Sequence, residues 1–196
     1  ILYAKDLVES GYVGEMMSCN MTRIEGGILG RTSDRIWTRE IDQGASTLTI
    51  SCGHAIDALR FVVGEFSHLS SVVSIQVKEW VEEDTKRKVD VTSPDNILVS
   101  GKLASGGVGS VHIASNPWAG SGYRMEIYGR QGTLIVSSDG SPNTNTVRIQ
   151  GVREVKLARF RRLWSLGEFP MCLHCVQLQP WGVRSFRRVA PVVWML

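Results

Sequence analysis

The stretch Gly44-Ala45-Ser46-Thr47-Leu48-Thr49-Ile50-Ser51-Cys52-Gly53-His54-Ala55-Ile56-Asp57-Ala58-Leu59-Arg60-Phe61-Val62-Val63-Gly64 decides how the rest of the chain folds. It is the one long helical pattern in the sequence. At helical spacing Leu48, Cys52, Ala55, Ile56, Leu59, Val62 and Val63 share one side. Ile50, His54, Asp57 and Phe61 share the other. Gly64 follows the last apolar residue, where a helix end favours a residue free to take positive φ. The apolar stripe is wide enough to cover a sheet. The second side brings His54 and Asp57 together at i, i+3, which are neighbours on a helix. By pattern alone a single helix-surface histidine is more often structural than catalytic.

The segments around this helix carry strand and turn signals. Residues 1–10 predict a short amphipathic helix ending at Gly11, and Met16 to Ile24 a strand. Residues 25–43 are polar and glycine-rich, a loop long enough to be functional, and carry Arg31, Asp34, Arg35, Trp37 and Arg39. Leu69 to Val77 predicts a strand, and Lys78 to Asp90 a strand end and exposed loop. Asp95 to Ala104 and Val108 to Ser115 flank Gly106-Gly107 as a hairpin. Tyr123 to Tyr128 and Thr133 to Ser137 form a second one around Gly129-Arg130-Gln131-Gly132, and Thr146 to Gln150 is a short last strand. Strands at this spacing with tight turns predict an α+β domain: an open, mainly antiparallel sheet with one long helix on one face. Val and Ile fall on both sides of Val72 to Val77, so the free face is expected to carry apolar residues and to support a homo-oligomer.

The chain has 196 residues, enough for one sizeable core, read as a domain over 1–152 and an atypical tail over 153–196. Residues 1–152 hold 14 basic and 17 acidic residues and the tail 8 and 2, so the net +3 belongs to the tail. Nucleic acid is not the expected partner despite that basic tail. From about residue 155 neither helical nor strand period is visible and half the tryptophans accumulate. A changed reading frame or an alternative exon accounts for such an ending; a dedicated interaction tail is the competing view. No apolar run reaches the roughly 18 residues of a membrane helix, and a cytoplasmic protein is expected. Ile1 opens a helix already under way, as expected of a chain that begins inside a larger protein. Cys19 and Cys52 fall on apolar positions as buried thiols. Cys172-Leu173-His174-Cys175 has knuckle spacing but no second ligand pair, so no metal is expected.

Gly53-His54-Ala55-Ile56-Asp57-Ala58-Leu59-Arg60-Phe61-Val62-Val63-Gly64 resembles the signature helix in the C-terminal domain of the Gfo/Idh/MocA oxidoreductases. The short entry helix before Ser10-Gly11-Tyr12-Val13-Gly14-Glu15 and the Gly129–Gly132 turn between two strands resemble the same domain. The likeness covers about residues 1 to 150. It implies His54 as the catalytic residue, with Arg35, Trp37, Thr49 and Asp57 against the substrate. The family's helix carries an acid four residues before the histidine; here that position is Ile50. The resemblance also implies NAD or NADP, held mainly by a nucleotide-binding domain. These 196 residues contain no Gly-x-Gly-x-x-Gly turn; the nearest approach, Gly107-Val108-Gly109, sits in a hairpin. The family's catalytic lysine in a Glu-Lys-Pro motif is absent too, as is any Gly-x-Ser-x-Gly elbow.

The leading reading is therefore the substrate-binding domain of an NAD(P)-dependent oxidoreductase acting on a sugar or polyol alcohol, inactive without its nucleotide-binding domain. The alternative is a non-enzymatic, dinucleotide-sensing regulator like the fungal galactose-pathway repressor, which keeps a Gly-His-x-Ile-Asp helix. A structural scaffold is the third.

Overall fold

A computed structural model describes residues 1–26, 30–115 and 118–153. The tail with Cys172 and Cys175 lies outside the described residues, as does the sequence reading made of it. The chain opens with helix α1 (Leu2–Glu9) and strand β1 (Met16–Glu25). A short strand β2 (Gly30–Arg31) and two 3-10 segments, Ser33–Arg39 and Ile41–Gln43, follow. Next come a π-helical turn over Thr47–Cys52 and helix α2 (Gly53–Val63). The rest is β3 (Phe66–Ser74), β4 (Glu79–Glu82), β5 (Lys88–Asp90), β6 (Asn96–Leu103), β7 (Val108–Ser115), β8 (Gly122–Gly129), β9 (Gly132–Ser138) and β10 (Arg148–Arg153).

Seven strands form one open sheet in the order β10-β9-β8-β1-β7-β6-β3. All its pairings are antiparallel except β1 with β7, where Cys19 faces Gly109 and Ile24 faces Ala114. The long helical segment lies on one face, so the α+β reading with a mainly antiparallel sheet holds. Alternation along each strand turns Cys19, Met21, Ile97, Val99, Val111, Ile113, Met125, Ile127, Leu134 and Val136 to the covered face, all buried. Cys52, Ala55, Leu59, Val62 and Val63 meet them from the helix, with Leu48 and Ile56 partly buried at its edge. Ile50 and Phe61, on the other side of the wheel, are exposed.

The helix itself differs from its sequence pattern at the start. Gly44 belongs to the preceding 3-10 turn, with φ of 73°. The helix begins at Ser46, whose Oγ accepts from the Thr49 backbone N–H while the Thr49 hydroxyl accepts from the Ser46 N–H. Two of the orphan donors of a helix start are thereby satisfied reciprocally. At the far end Gly64 has φ of 87°, a region open to glycine, and turns the chain straight into β3. The β8–β9 turn needs glycine for a different reason: a Cβ on Gly129 would stand 2.2 Å from the Val13 carbonyl oxygen.

Three expectations are corrected. Lys78 to Asp90 is not an exposed loop: with β2 it builds a second sheet, ordered β2-β4-β5, around buried Trp80, Val89 and Val91. Residues 25–43 are likewise largely structured, as β2 and the 3-10 segments. The strand expected over Leu69 to Val77 runs over Phe66–Ser74 instead. It stops there because the buried Asp95 carboxylate accepts from the backbone N–H groups of Gln76 and Val77, at 2.9 and 2.7 Å, and takes them from any ladder.

Candidate functional site

The end of β1, the start of the helix, and residues of β2, the first 3-10 segment and β4 come together around one space. There a cavity of about 290 Å³ opens. One wall is the end of β1 and the first helical turn, with Glu25, Thr47, Ile50 and Ser51. The other is β2, the first 3-10 segment and β4, with Arg31, Arg35, Trp37 and Trp80.

Glu25 reaches the cavity because it continues the inward alternation of Cys19, Met21 and Arg23 past the end of the covered core. Arg23 is buried, and its Nε and Nη2 donate to Glu25 Oε1 at 3.0 and 2.6 Å. Its Nη1 donates to the Ser51 carbonyl at 3.1 Å, tying β1 to the helix. The Ser51 hydroxyl donates to Glu25 Oε2 at 3.1 Å. A buried guanidinium so paired fixes the position of the carboxylate. The Glu25 side chain stays 35% exposed, which leaves acceptor positions open on the cavity side.

The opposite wall is rich in donors. Arg31 lies over the Trp80 ring, 5.9 Å from its centroid. Neither Arg31 nor Arg35 forms an ion pair among the described residues. The Arg31 Nε–H and the Trp80 Nε1–H are both buried without a hydrogen-bond partner among the described residues. An unsatisfied buried donor costs about 1–3 kcal/mol, and both of these belong to residues that line the cavity.

The structure brings Arg35 and Trp37 to this cavity and leaves the other three expected site residues outside it. His54 is exposed on the helix, one turn beyond the cavity-lining Ile50. Asp57 is exposed a further turn along. Thr49 uses its hydroxyl in the cap with Ser46. Cys52 points the other way, into the core. Burial raises both thiols above the ordinary cysteine range, Cys19 to about 12 with Glu126 adding to the effect, so neither is a nucleophile at neutral pH.

Glu25, Ser51 and Trp80 were not singled out from the sequence. Glu25 was readable as the next inward position after Arg23. Trp80 carried no such signal, because β4 buries Trp80 and Glu82 and exposes Glu79 and Val81, a pattern that does not follow hydrophobicity.

The solved structures most like this fold include a super-repressor mutant of Gal80p from Saccharomyces cerevisiae, with a TM-score of 0.70 at 22% identity over 78% of this chain and 43% of that one. A levoglucosan dehydrogenase in complex with NADH matches at a TM-score of 0.55 and 24% identity over 74% of this chain and 42% of that one. In sequence, the levoglucosan dehydrogenase of Pseudarthrobacter phenanthrenivorans is 27% identical over 69% of this chain and 38% of its own length. The galactose/lactose metabolism regulatory protein GAL80 of Saccharomyces cerevisiae is 32% identical over 55% of this chain and 27% of its own. The chain thus spans less than two-fifths of these curated relatives. Oxidoreductases and a regulator are both among its relatives, in keeping with the resemblance carried by the His54 helix and the Gly129–Gly132 turn. The domain family described as "Gal80p, C-terminal domain" matches residues 1–138, well over half of the sequence, and the chain belongs to that Gal80p C-terminal-domain-like family.

Proposed function

We propose that this chain is the substrate-binding part of an NAD(P)-dependent oxidoreductase acting on an alcohol carbon of a sugar or polyol. The observation that carries the reading is the cavity between Glu25–Ser51 and Arg35–Trp37, one helical turn from an exposed His54. Such a cavity offers a carboxylate to accept from hydroxyls, donors to hold oxygen atoms, and an aromatic ring to stack on the apolar face of a sugar. His54 then takes the proton of the reacting hydroxyl, a role suited to imidazole near neutral pH. Asp57 and Thr49 contact only a substrate that extends out of the cavity along the helix.

The described residues do not fit the dinucleotide by themselves. Among the described residues neither parallel strand pair, β1 with β7 or β2 with β4, carries a glycine-rich phosphate turn, and the helix N-terminus that could face a phosphate is capped by Ser46 and Thr49. In this proposal the dinucleotide is bound by a companion domain and supplies the hydride chemistry.

The test is turnover in a protein that includes the nucleotide-binding domain. His54→Ala is expected to lower turnover about 10²–10⁴-fold, as loss of a proton-transfer group does, with little change in melting temperature. His54→Asn should keep substrate binding better than turnover. Parental rates in both variants would make His54 structural. The second reading, a dinucleotide-sensing regulator, is favoured by one observation: Ile50, 47% exposed, lines the cavity where an oxidoreductase of the resembled type carries its acid. Tight dinucleotide binding with no turnover of any polyol would move it to first place.

A further inference from the structure

The donors on the second wall of the cavity exceed what a neutral alcohol needs. Two guanidinium groups, Arg31 and Arg35, line it without an ion pair among the described residues. The Trp80 indole, 3% exposed, and the Arg31 Nε–H have no acceptor among the described residues. A buried indole N–H normally finds a partner, and a guanidinium fork matches the two oxygens of an oxyanion. The nearest carboxylates are already engaged: Asp95 accepts from the backbone of Gln76 and Val77, and Glu25 is held by Arg23 and Ser51 on the facing wall. Arg31 and Arg35 are thus cationic groups on the cavity lining that neither lining carboxylate pairs with among the described residues.

We infer that the ligand of this cavity is a polyhydroxylated oxyanion, a sugar acid or sugar phosphate. Its anionic group lies against Arg31, Arg35 and the Trp80 Nε1–H, and its hydroxyls lie against Glu25 and Ser51. Glu25 repels the anionic end and so sets the direction in which the ligand enters. This inference rests on the cavity being the substrate site and adds the charge of what fills it.

Calorimetric titration of the 196-residue chain tests it, with D-glucuronate, a hexose monophosphate, D-glucose and inorganic phosphate as probes. One of the two anionic sugars is expected to bind at least about tenfold more tightly than glucose, and which one it is separates carboxylate from phosphate. Arg31→Gln and Arg35→Gln should each weaken that anion about tenfold or more, the loss of a charge-assisted hydrogen bond, and weaken glucose by a clearly smaller factor; an equal loss for glucose and the anion would overturn the inference. Trp80→Phe, which keeps the ring and removes the N–H, should weaken it less. If Arg31→Gln fails to fold, Arg35→Gln carries the test, because Arg35 is exposed on the 3-10 turn. Equal affinity for glucose and both anions would overturn the inference while the substrate-site reading stands. Inorganic phosphate binding as tightly as the anionic sugars would reduce the site to an adventitious ion only and overturn it. No binding of any sugar would sink both.

Discussion

Leu59→Ala measures whether the helix that presents His54 is held on the sheet in the way described. Leu59 is completely buried at the centre of Gly53–Val63, in one cluster with Met21, Val111 and Ile113 of the sheet. The substitution removes three carbons. At about 0.8 kcal/mol per buried methylene the transfer loss is about 2.4 kcal/mol. The space left behind adds to it, because strands β1 and β7 cannot close over the gap without moving their ladders, so the expected cost is about 3–4 kcal/mol. That is a large share of the roughly 5–15 kcal/mol total stability of a domain. In urea melts followed by far-ultraviolet circular dichroism, the midpoint should fall with the slope unchanged. Phe61→Ala is the control: Phe61 is 45% exposed on the opposite side, where Lys5 Nζ sits 4.6 Å from its ring centroid. Losing that contact and some area should cost below about 1.5 kcal/mol. A Leu59→Ala cost under about 1 kcal/mol, or one equal to Phe61→Ala, would refute the assignment of the buried stripe.

Three further outcomes are expected. Ser46→Ala should destabilise by about 1 kcal/mol, the usual cost of a lost N-cap, and Thr49→Val should couple to it in a double-mutant cycle; simple additivity would mean that the reciprocal cap is not formed. Glu82 is buried in the small sheet, and hydrogen bonds from Arg87 first and Thr85 second hold its carboxyl below the ordinary glutamate range. A depressed folded-state value gives stability that is present above the unfolded value, near pH 4.3, and is lost as pH falls through the folded one; Glu82→Gln should flatten the acid limb of a thermal-melt series, and an unchanged limb would contradict it. The uncovered sheet face exposes Val72, Leu98 and Val108, so we propose that two copies pair there. Sedimentation should show a dimer that Leu98→Glu dissociates, and a monomer at high protein concentration would rule that pairing out.

The parts of this fold legible in the sequence are those whose pattern repeats over many residues. Seven stripe positions at helical spacing identified the helix and its buried side, and the paired alternations around Gly106 and Gly129–Gly132 identified two hairpins. The small sheet was not legible, because β2, β4 and β5 have only two, four and three residues, too few for an alternation to stand out, and β4 buries Glu82 while exposing Val81. Nor was the parallel pairing of β1 with β7, which joins Ser18 to Val108 from distant parts of the chain and depends on no local residue. The bounds of β3 were misread for a related reason: it is an edge strand with Leu69, Val72 and Val73 all exposed, so burial imposes no alternation on it. At the site, Arg35 and Trp37 stood out as a cationic and an aromatic residue in a polar segment. Glu25 and Trp80 did not, since each is an ordinary strand residue until the second sheet turns its wall toward the helix start.

The central claim is that the cavity lined from both sheets is where substrate binds. The most direct test is an amide and indole N–H correlation spectrum of the chain, titrated with an anionic sugar. Trp80 and Trp37 line the cavity from different elements, and Trp80 Nε1–H has no hydrogen-bond partner among the described residues. The account predicts that both indole signals shift along one saturating curve together with the Ser51 amide, while the exposed sheet-face residues Val72 and Val108 stay in place. Indole signals that do not move, or shifts confined to the open sheet face, would contradict it.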